Sequence, residues 1–501
     1  MRALLDTNII IHREASKVVN QDVGILYRWL DRAKYTKYVH SVTITEIKKY
    51  KNHQAVETFQ IKLESYEKIE IPSPIQPEVT AVSENIDVNQ NDRNDTQLLN
   101  EVFVERVDIL ITEDKKMHKK ALELGIDHKV YTIDSFLEKT FAEHPDLVNY
   151  KVLNVQKLKF GRINLDDDFF SSLKEDYHGF DKWFIKKFDE EAYITVNSNN
   201  GLLLSFLYLK IENKHENYND ILPKFSSKKR LKIGTFKVIN NGFRLGERFM
   251  KIIFDNALKN KVDEIYVTIF DKREGQRRLI DLFEKWGFVQ WGKKGNNELV
   301  YVRDFTKKVN PNKLRHTYPY ISRKNDCYIV PIYPEYHTEL LPDSILNTES
   351  PEEFIEDFPH RNSINKVYVS RALLPHPSKG DILIFYMTGG YYKSVISTIG
   401  IVQEVKYNFV NEDEFILYCR KSSVFPEEQL RKMWNYSPEK PFVVKFLYNY
   451  SFPHRINMKE LIDLRVLAGV NDAPRGFKKI SKEQLTTILK ATKSDESFIV
   501  D

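Results

Sequence analysis

The sequence predicts a multidomain chain of α/β and α+β regions: an N-terminal α/β sandwich with a parallel sheet, a central mixed sheet and a C-terminal β-barrel. Three observations predict it. The 501 residues exceed one ordinary domain of roughly 100 to 200 residues. Apolar periodicity alternates between strand and helix through the first region. The last region breaks into short apolar runs separated by turn residues.

In the first region, assigned to residues 1–148, the runs Ala3 to Leu5, Val39 to Ile44, Asp108 to Thr112 and Lys129 to Ile133 alternate with helical segments such as Val23 to Arg32 and Lys115 to Leu124. That alternation is the signature of parallel strands joined by crossover helices. The Pro-rich, then Asn/Asp-rich stretch Ile71 to Asn94 reads as a surface loop leading into a helix from Asp95. Residues 149–305 form the second region. Its apolar runs Ala192 to Val196 and Leu202 to Lys210 flank the turn Asn197-Ser198-Asn199-Asn200-Gly201, which reads as a hairpin. Residues 306–324 are basic and interrupted by Pro311 and Pro319, and read as a linker. Residues 325–501 are β-rich, with Cys327 to Tyr336, Lys379 to Tyr386 and Ile396 to Val405 as strand segments that close naturally into a small barrel.

Composition sets limits. With 42% hydrophobic residues there is apolar surface for several cores, so wholesale disorder is excluded. Two cysteines, Cys327 and Cys419, build neither a disulfide framework nor a Cys-rich zinc site, which points to the cytoplasm. The longest apolar run, Leu202 to Leu209, is far below the roughly 20 residues a bilayer requires, so no membrane contact is expected. A net charge of +5 from 76 basic and 71 acidic residues places any nucleic-acid contact in local patches.

The chemistry concentrates in the first region. Asp6 ends an apolar strand, and the carboxyl end of a parallel strand is where such sheets place ligands. Glu46, Asp95 and Asp114 occupy comparable places. Taken singly, Asp95 reads as an N-cap, Asp114 as a strand-end turn residue and Glu46 as a solvated helix acid. Gathered together, four carboxylates repel one another unless a hard divalent cation, Mg²⁺ or Mn²⁺, neutralises them. Such an ion activates water for phosphodiester hydrolysis without Ser, Cys or His.

The segments Leu4-Leu5-Asp6-Thr7-Asn8, Thr45-Glu46, Asn94-Asp95-Thr96-Gln97-Leu98-Leu99 and Ile111-Thr112-Glu113-Asp114 resemble, in chain order, the PIN domain, a family of metal-dependent ribonucleases. The resemblance implies Asp6, Glu46, Asp95 and Asp114 as metal ligands and catalytic residues, with Thr7 or Asn8 supporting the first of them and Asp92 as a substitute for Asp95.

In the second region, the strand-like run Leu231 to Val238, the turn Asn241-Gly242-Phe243-Arg244-Leu245-Gly246 and the following helix resemble the GNAT acetyltransferase fold. So do the hairpin and the ending Leu282-Phe283-Glu284-Lys285-Trp286-Gly287-Phe288. This implies acetyl-CoA held near Val238, Asn241, Arg244, Gly246 and Arg248. Arg244 replaces the first glycine of the family's turn, and Phe283 replaces the tyrosine that would protonate the thiolate.

The last region resembles ASCH and related PUA-like domains, through the turn Lys379-Gly380-Asp381 feeding Ile382 to Tyr386. That resemblance implies RNA recognition, with Arg371, Tyr386, Tyr391, Tyr392 and Lys393 offering cations and stacking faces. Together the regions give the expectation of a toxin-like, stress or defence endoribonuclease with an RNA substrate and an inhibitor or antitoxin partner. Two alternatives stand beside it: an N-acetyltransferase acting on RNA, tRNA or protein, and a non-catalytic RNA-binding adaptor.

Overall fold

A computed structural model describes residues 1–14, 21–48, 63, 66–133, 135–137, 140, 155–197, 201–239, 245–295, 297–341, 363–371, 377–391, 393–420, 423–436 and 440–500. The chain is mixed α/β and gathers into two compact units, the first built on residues 1–148.

The first unit carries a five-stranded sheet of β1 (Arg2–Leu5), β2 (Thr36–His40), β3 (Glu67–Ile69), β4 (Ile109–Ile111) and β5 (Val130–Tyr131), ordered β3-β2-β1-β4-β5. Every pairing is parallel. All three residues of β4 are buried, as expected for a sheet covered on both faces. Leu4 and Leu110 pack with Leu98, Leu99 and Val102 of the helix Gln90–Phe103 and with Met117 and Ala121 of the helix Lys115–Glu123.

Local chemistry corrects two expectations. The stretch from Ile71 to Asn94 is not all loop: it contains the helix Pro77–Ile86, begun by a proline whose fixed φ and absent N–H suit a first turn. Asp95 does not cap the next helix, because the side chain of Asn89 accepts the Asp92 N–H at 3.0 Å and starts it at Gln90. Asp95 therefore stands in the second turn.

In the second unit, β6 (Gln156–Lys159), β7 (Glu191–Val196), β8 (Leu203–Glu212), β9 (Ile221–Leu222), β10 (Arg230–Val238), β11 (Glu264–Ile269), β12 (Val289–Lys294) and β13 (Leu299–Asp304) make an eight-stranded mixed sheet, ordered β6-β7-β8-β10-β11-β13-β12-β9. The expected hairpin is β7–β8, closed by Asn197 N–H to Leu202 O at 2.8 Å. Strands β10 and β11 are parallel from Arg230–Glu264 to Ile233–Val267, where their ladder stops although both strands continue.

A further sheet holds β15 (Cys327–Ile332), β16 (Asn365–Ser370), β17 (Ile382–Met387), β18 (Val395–Lys406), β19 (Phe442–Ser451) and β20 (Lys478–Ile480), ordered β16-β19-β18-β17-β15-β20. It curls, so that Tyr368 on one edge strand lies 5.9 Å, ring to ring, from Phe477 beside the other. No ladder joins the two edges among the described residues, so the sheet is curved and open there. Two short strands, β14 (Ile321–Ser322) and β21 (Ile499–Val500), pair in parallel alongside. At the Lys379-Gly380-Asp381 turn, Gly380 has φ +94°, and a Cβ would meet Asn325 Nδ2 at 2.4 Å; glycine is required.

Residues 306–324 are ordered by packing rather than extended. Tyr318 is fully buried and donates to the Tyr448 carbonyl at 2.9 Å, and Tyr320 donates to Phe305 O at 2.8 Å. No helix among the described residues is long and apolar enough to cross a membrane.

Candidate functional site

The strand order of the first unit makes a crevice. From β1 the chain steps to β2 and β3 on one side, then returns to β4 on the other, so the connections leaving β1 and β4 part in opposite directions above their carboxyl ends. Ligands bind at such switch points. Asp6 follows β1 directly and Asp114 lies just beyond β4.

Asp6 is 2% exposed. Its N–H donates to Ile111 O at 3.1 Å, and its Oδ2 accepts the Thr112 hydroxyl at 2.8 Å. The Asp114 N–H in turn donates to Thr112 Oγ1 at 3.0 Å, while Asp114 Oδ1 caps the helix Lys115–Glu123 by accepting Met117 N–H at 2.9 Å. Glu46 projects from the helix Ser41–Lys48. Its Oε2 accepts the Thr7 hydroxyl at 2.8 Å and its Oε1 accepts Asn94 Nδ2 at 2.9 Å. Thr7 therefore serves both acids, its backbone N–H at Asp6 and its hydroxyl at Glu46.

Burial pushes the Asp6 carboxyl up to about 6, with the charges of Asp114 and Glu46 adding to the rise against the Thr112 hydrogen bond. Burial also raises Asp95, to about 7, and Asp6, Asp114 and Glu46 repel its charge. No hydrogen-bond donor reaches the Asp95 side chain among the described residues. The four predicted acids thus feel one another across one crevice. Among the described residues no three His, Cys, Asp or Glu side chains already stand as a group able to hold a metal ion.

Asp92, the alternative to Asp95, is already engaged. Its Oδ2 pairs with Lys116 Nζ at 2.7 Å and accepts Val88 N–H at 2.9 Å, and the lysine holds it below the usual carboxylate range. Lys120, 1% exposed, pairs with Asp87 at 2.8 Å and donates to Asp92 O and Thr96 Oγ1, and its charge partly offsets the repulsion on Asp95. Thr112, Asn94 and Lys120 were not among the predicted site residues. For Thr112 a signal exists in the sequence, a polar residue directly after the all-apolar strand β4; for Lys120 there is none, because a lysine in a helix is ordinarily solvated.

The acyl-CoA residues fare differently. Asn241 and Arg244 lie outside the described residues. Val238 ends β10, half-buried. A Cβ on Gly246 would meet Leu282 Cδ2 at 2.9 Å, so that glycine admits close helix packing. Glu247, in the same first turn, accepts hydrogen bonds from Ser363 Oγ, Ile364 N and Asn365 Nδ2 at 2.8 to 2.9 Å. A buried carboxylate in that turn opposes a pyrophosphate there, and Phe283 is fully buried. Of that turn only Gly246 and Arg248 are described among the expected residues, and Glu247 between them is a carboxylate held by Asn365 of β16.

Of the proposed RNA contacts, Arg371 and Lys393 are exposed and Tyr391 half-buried, while Tyr392 lies outside the described residues. The Arg371 guanidinium lies 4.5 Å over the ring of Tyr436, which is 79% exposed. Tyr386 is 1% exposed within β17, so its ring offers no face for a base; every residue of that strand is buried, on either face.

The fold and site define a class: a parallel α/β unit with an acid-lined crevice, joined to a second unit of mixed sheets. No protein-family model matches the chain, and no curated protein matches it. Among solved structures it is similar to a mutant ASCH protein from Zymomonas mobilis (12% identity, TM-score 0.24, covering 33% of this chain and 95% of that one). It is similar also to VapBC2 from Rickettsia felis bound to a DNA fragment from its promoter (17%, 0.20, 26% and 98%). A third is the NatC complex bound to Gag peptide and CoA (15%, 0.21, 30% and 96%). At such scores these likenesses carry no argument about activity.

Proposed function

We propose that the first unit, residues 1–148, is a metal-dependent endoribonuclease, with Asp6, Glu46, Asp95 and Asp114 holding Mg²⁺ or Mn²⁺. The observation that carries this reading is that Asp95, with no hydrogen-bond donor among the described residues, is repelled by the buried Asp6 and by Asp114 and Glu46 at a switch-point crevice. Carboxylate oxygens without thiol or imidazole suit a hard cation. When bound, that ion supplies a water of lowered pKa and positive charge against the phosphodiester.

The chain's own residues prepare the site. Thr112 orients Asp6, Thr7 and Asn94 orient Glu46, and the helix-capping bond of Asp114 fixes its carboxylate. RNA as substrate rests on the PIN-like motifs. In the same reading the last region presents RNA through Arg371, Tyr391 and Lys393, and an inhibitor protein restrains the cleavage. Acetyl transfer is not carried forward, because the buried Glu247 carboxylate opposes a pyrophosphate at that helix N-terminus and Phe283 has no proton to give.

The test is incubation of the full chain with total RNA and Mg²⁺ or Mn²⁺ against an EDTA control. Cleavage requiring the metal, and abolished by Asp6→Asn and Asp114→Asn, is expected. Asn is as good an N-cap as Asp, so the second variant keeps its helix. Cleavage undiminished in both folded variants would overturn the assignment.

A further inference from the structure

Beyond Ile233 and Val267, where the β10–β11 ladder ends, a cavity of about 430 Å³ opens in the second unit, a volume typical of small-molecule sites. Its lining includes four aromatic rings: Phe180 and Trp183 from the helix Phe180–Ile185, Phe236 from β10 and Phe283 from the helix Glu274–Lys285. Lys210, Lys232 and Lys294 also line it, with one buried carboxylate, Glu298, which lies 4.0 Å from Lys294 and accepts the Thr268 hydroxyl at 3.2 Å.

Two of these lysines are already engaged. Lys210 Nζ donates to Glu216 at 2.8 Å and to Glu212 at 3.3 Å, and Lys294 stands 3.6 Å from Asp220. Lys232 differs. Its ammonium makes no hydrogen bond among the described residues, and its nearest carboxylate oxygen, on Glu212, is 3.8 Å away. That carboxylate already takes Tyr266 OH at 2.6 Å and Tyr218 OH at 3.0 Å as well as Lys210. Burial lowers the Lys232 pKa, and the charges of Lys294 and Lys210 lower it further against the pull of Glu212. An ammonium with unused donors in a partly dry cavity is most stabilised by an anionic oxygen.

We propose that this cavity binds a small flat organic anion, its apolar body among the aromatic rings and its carboxylate or phosphate on Lys232. The site belongs wholly to the second unit and stands or falls independently of the nuclease reading.

Calorimetric titration of the full chain with benzoate, phenyl phosphate and neutral benzamide tests it. At least one anion is expected to bind about tenfold or more tighter than benzamide. The ratio between benzoate and phenyl phosphate tells carboxylate from phosphate. Lys232→Met is expected to erase that preference and leave benzamide binding as it was. Lys232→Gln, which keeps a polar end, repeats the test should Met disturb the fold. Benzamide binding as tightly as both anions, or no binding of any probe at millimolar concentration, would overturn the proposal, whatever the variants do. So would an anion preference that survives in folded Lys232→Gln.

Discussion

The Thr112 hydroxyl donates to Asp6 Oδ2 at 2.8 Å and accepts the Asp114 N–H at 3.0 Å, so one side chain links the acids that follow two neighbouring parallel strands. Asp6 and Asp114, more than a hundred residues apart in the chain, share one crevice because β1 and β4 are paired from Ala3–Ile109 to Leu5–Ile111. The gathering of charge is a property of the sheet order, and it generates specific expectations.

Thr112→Val removes the hydrogen bond to the Asp6 carboxylate while keeping the side-chain shape. A bond to a charged group contributes about 1.5–3 kcal/mol, which corresponds to a loss of about tenfold to a hundredfold in Mn²⁺ affinity. Calorimetric titration of Mn²⁺ at pH 7.5 measures it, and an unchanged affinity would remove Thr112 from the site.

The raised carboxyls set a pH dependence. Asp6 moves from 3.8 to about 6 on folding, so the fold favours its protonated form. Its contribution to stability is complete below 3.8 and is lost as pH rises through about 6; at pH 8 the cost is roughly 3 kcal/mol. In EDTA, Asp6→Asn should therefore stabilise the first unit at pH 8 and much less at pH 4.5. Hydrogen exchange at the amides of Leu4 and Leu110 gives the readout. A stabilisation that grows as pH falls would contradict the assignment.

Lys120→Met leaves Asp87 buried without its cation. Breaking one partner of a buried pair costs about 3–5 kcal/mol, so exchange in the helix Gln90–Phe103 should accelerate strongly. The same change removes a charge that favours ionised Asp95, so metal binding at neutral pH should also weaken. Wild-type exchange rates in a folded variant would show that the pair contributes nothing.

Glu247→Gln places an amide N–H₂ among donors, since Ser363, Ile364 and Asn365 all donate to this carboxylate. The expected cost is about 1.5–3 kcal/mol, seen as a lowered Tm for the second unit in scanning calorimetry. A Tm equal to wild type would mean that these bonds are not limiting for its stability.

The sequence by itself determined the alternation that builds the parallel sheet and the hairpin β7–β8, and it singled out the four acids as candidates, because apolar period and strand-end polarity are local signals. It could not separate Asp92 from Asp95, since both lie on one helix and only the reach of Lys116 engages the first. It also took Tyr386 for a surface ring, although β17 is buried on both faces. The tertiary structure alone decided that the Thr7 hydroxyl serves Glu46, that Glu247 faces β16, and that Lys232 makes no hydrogen bond among the described residues. Each of those depends on which distant strand lies alongside, and pairing between strands far apart in sequence is settled by the packing of the whole sheet.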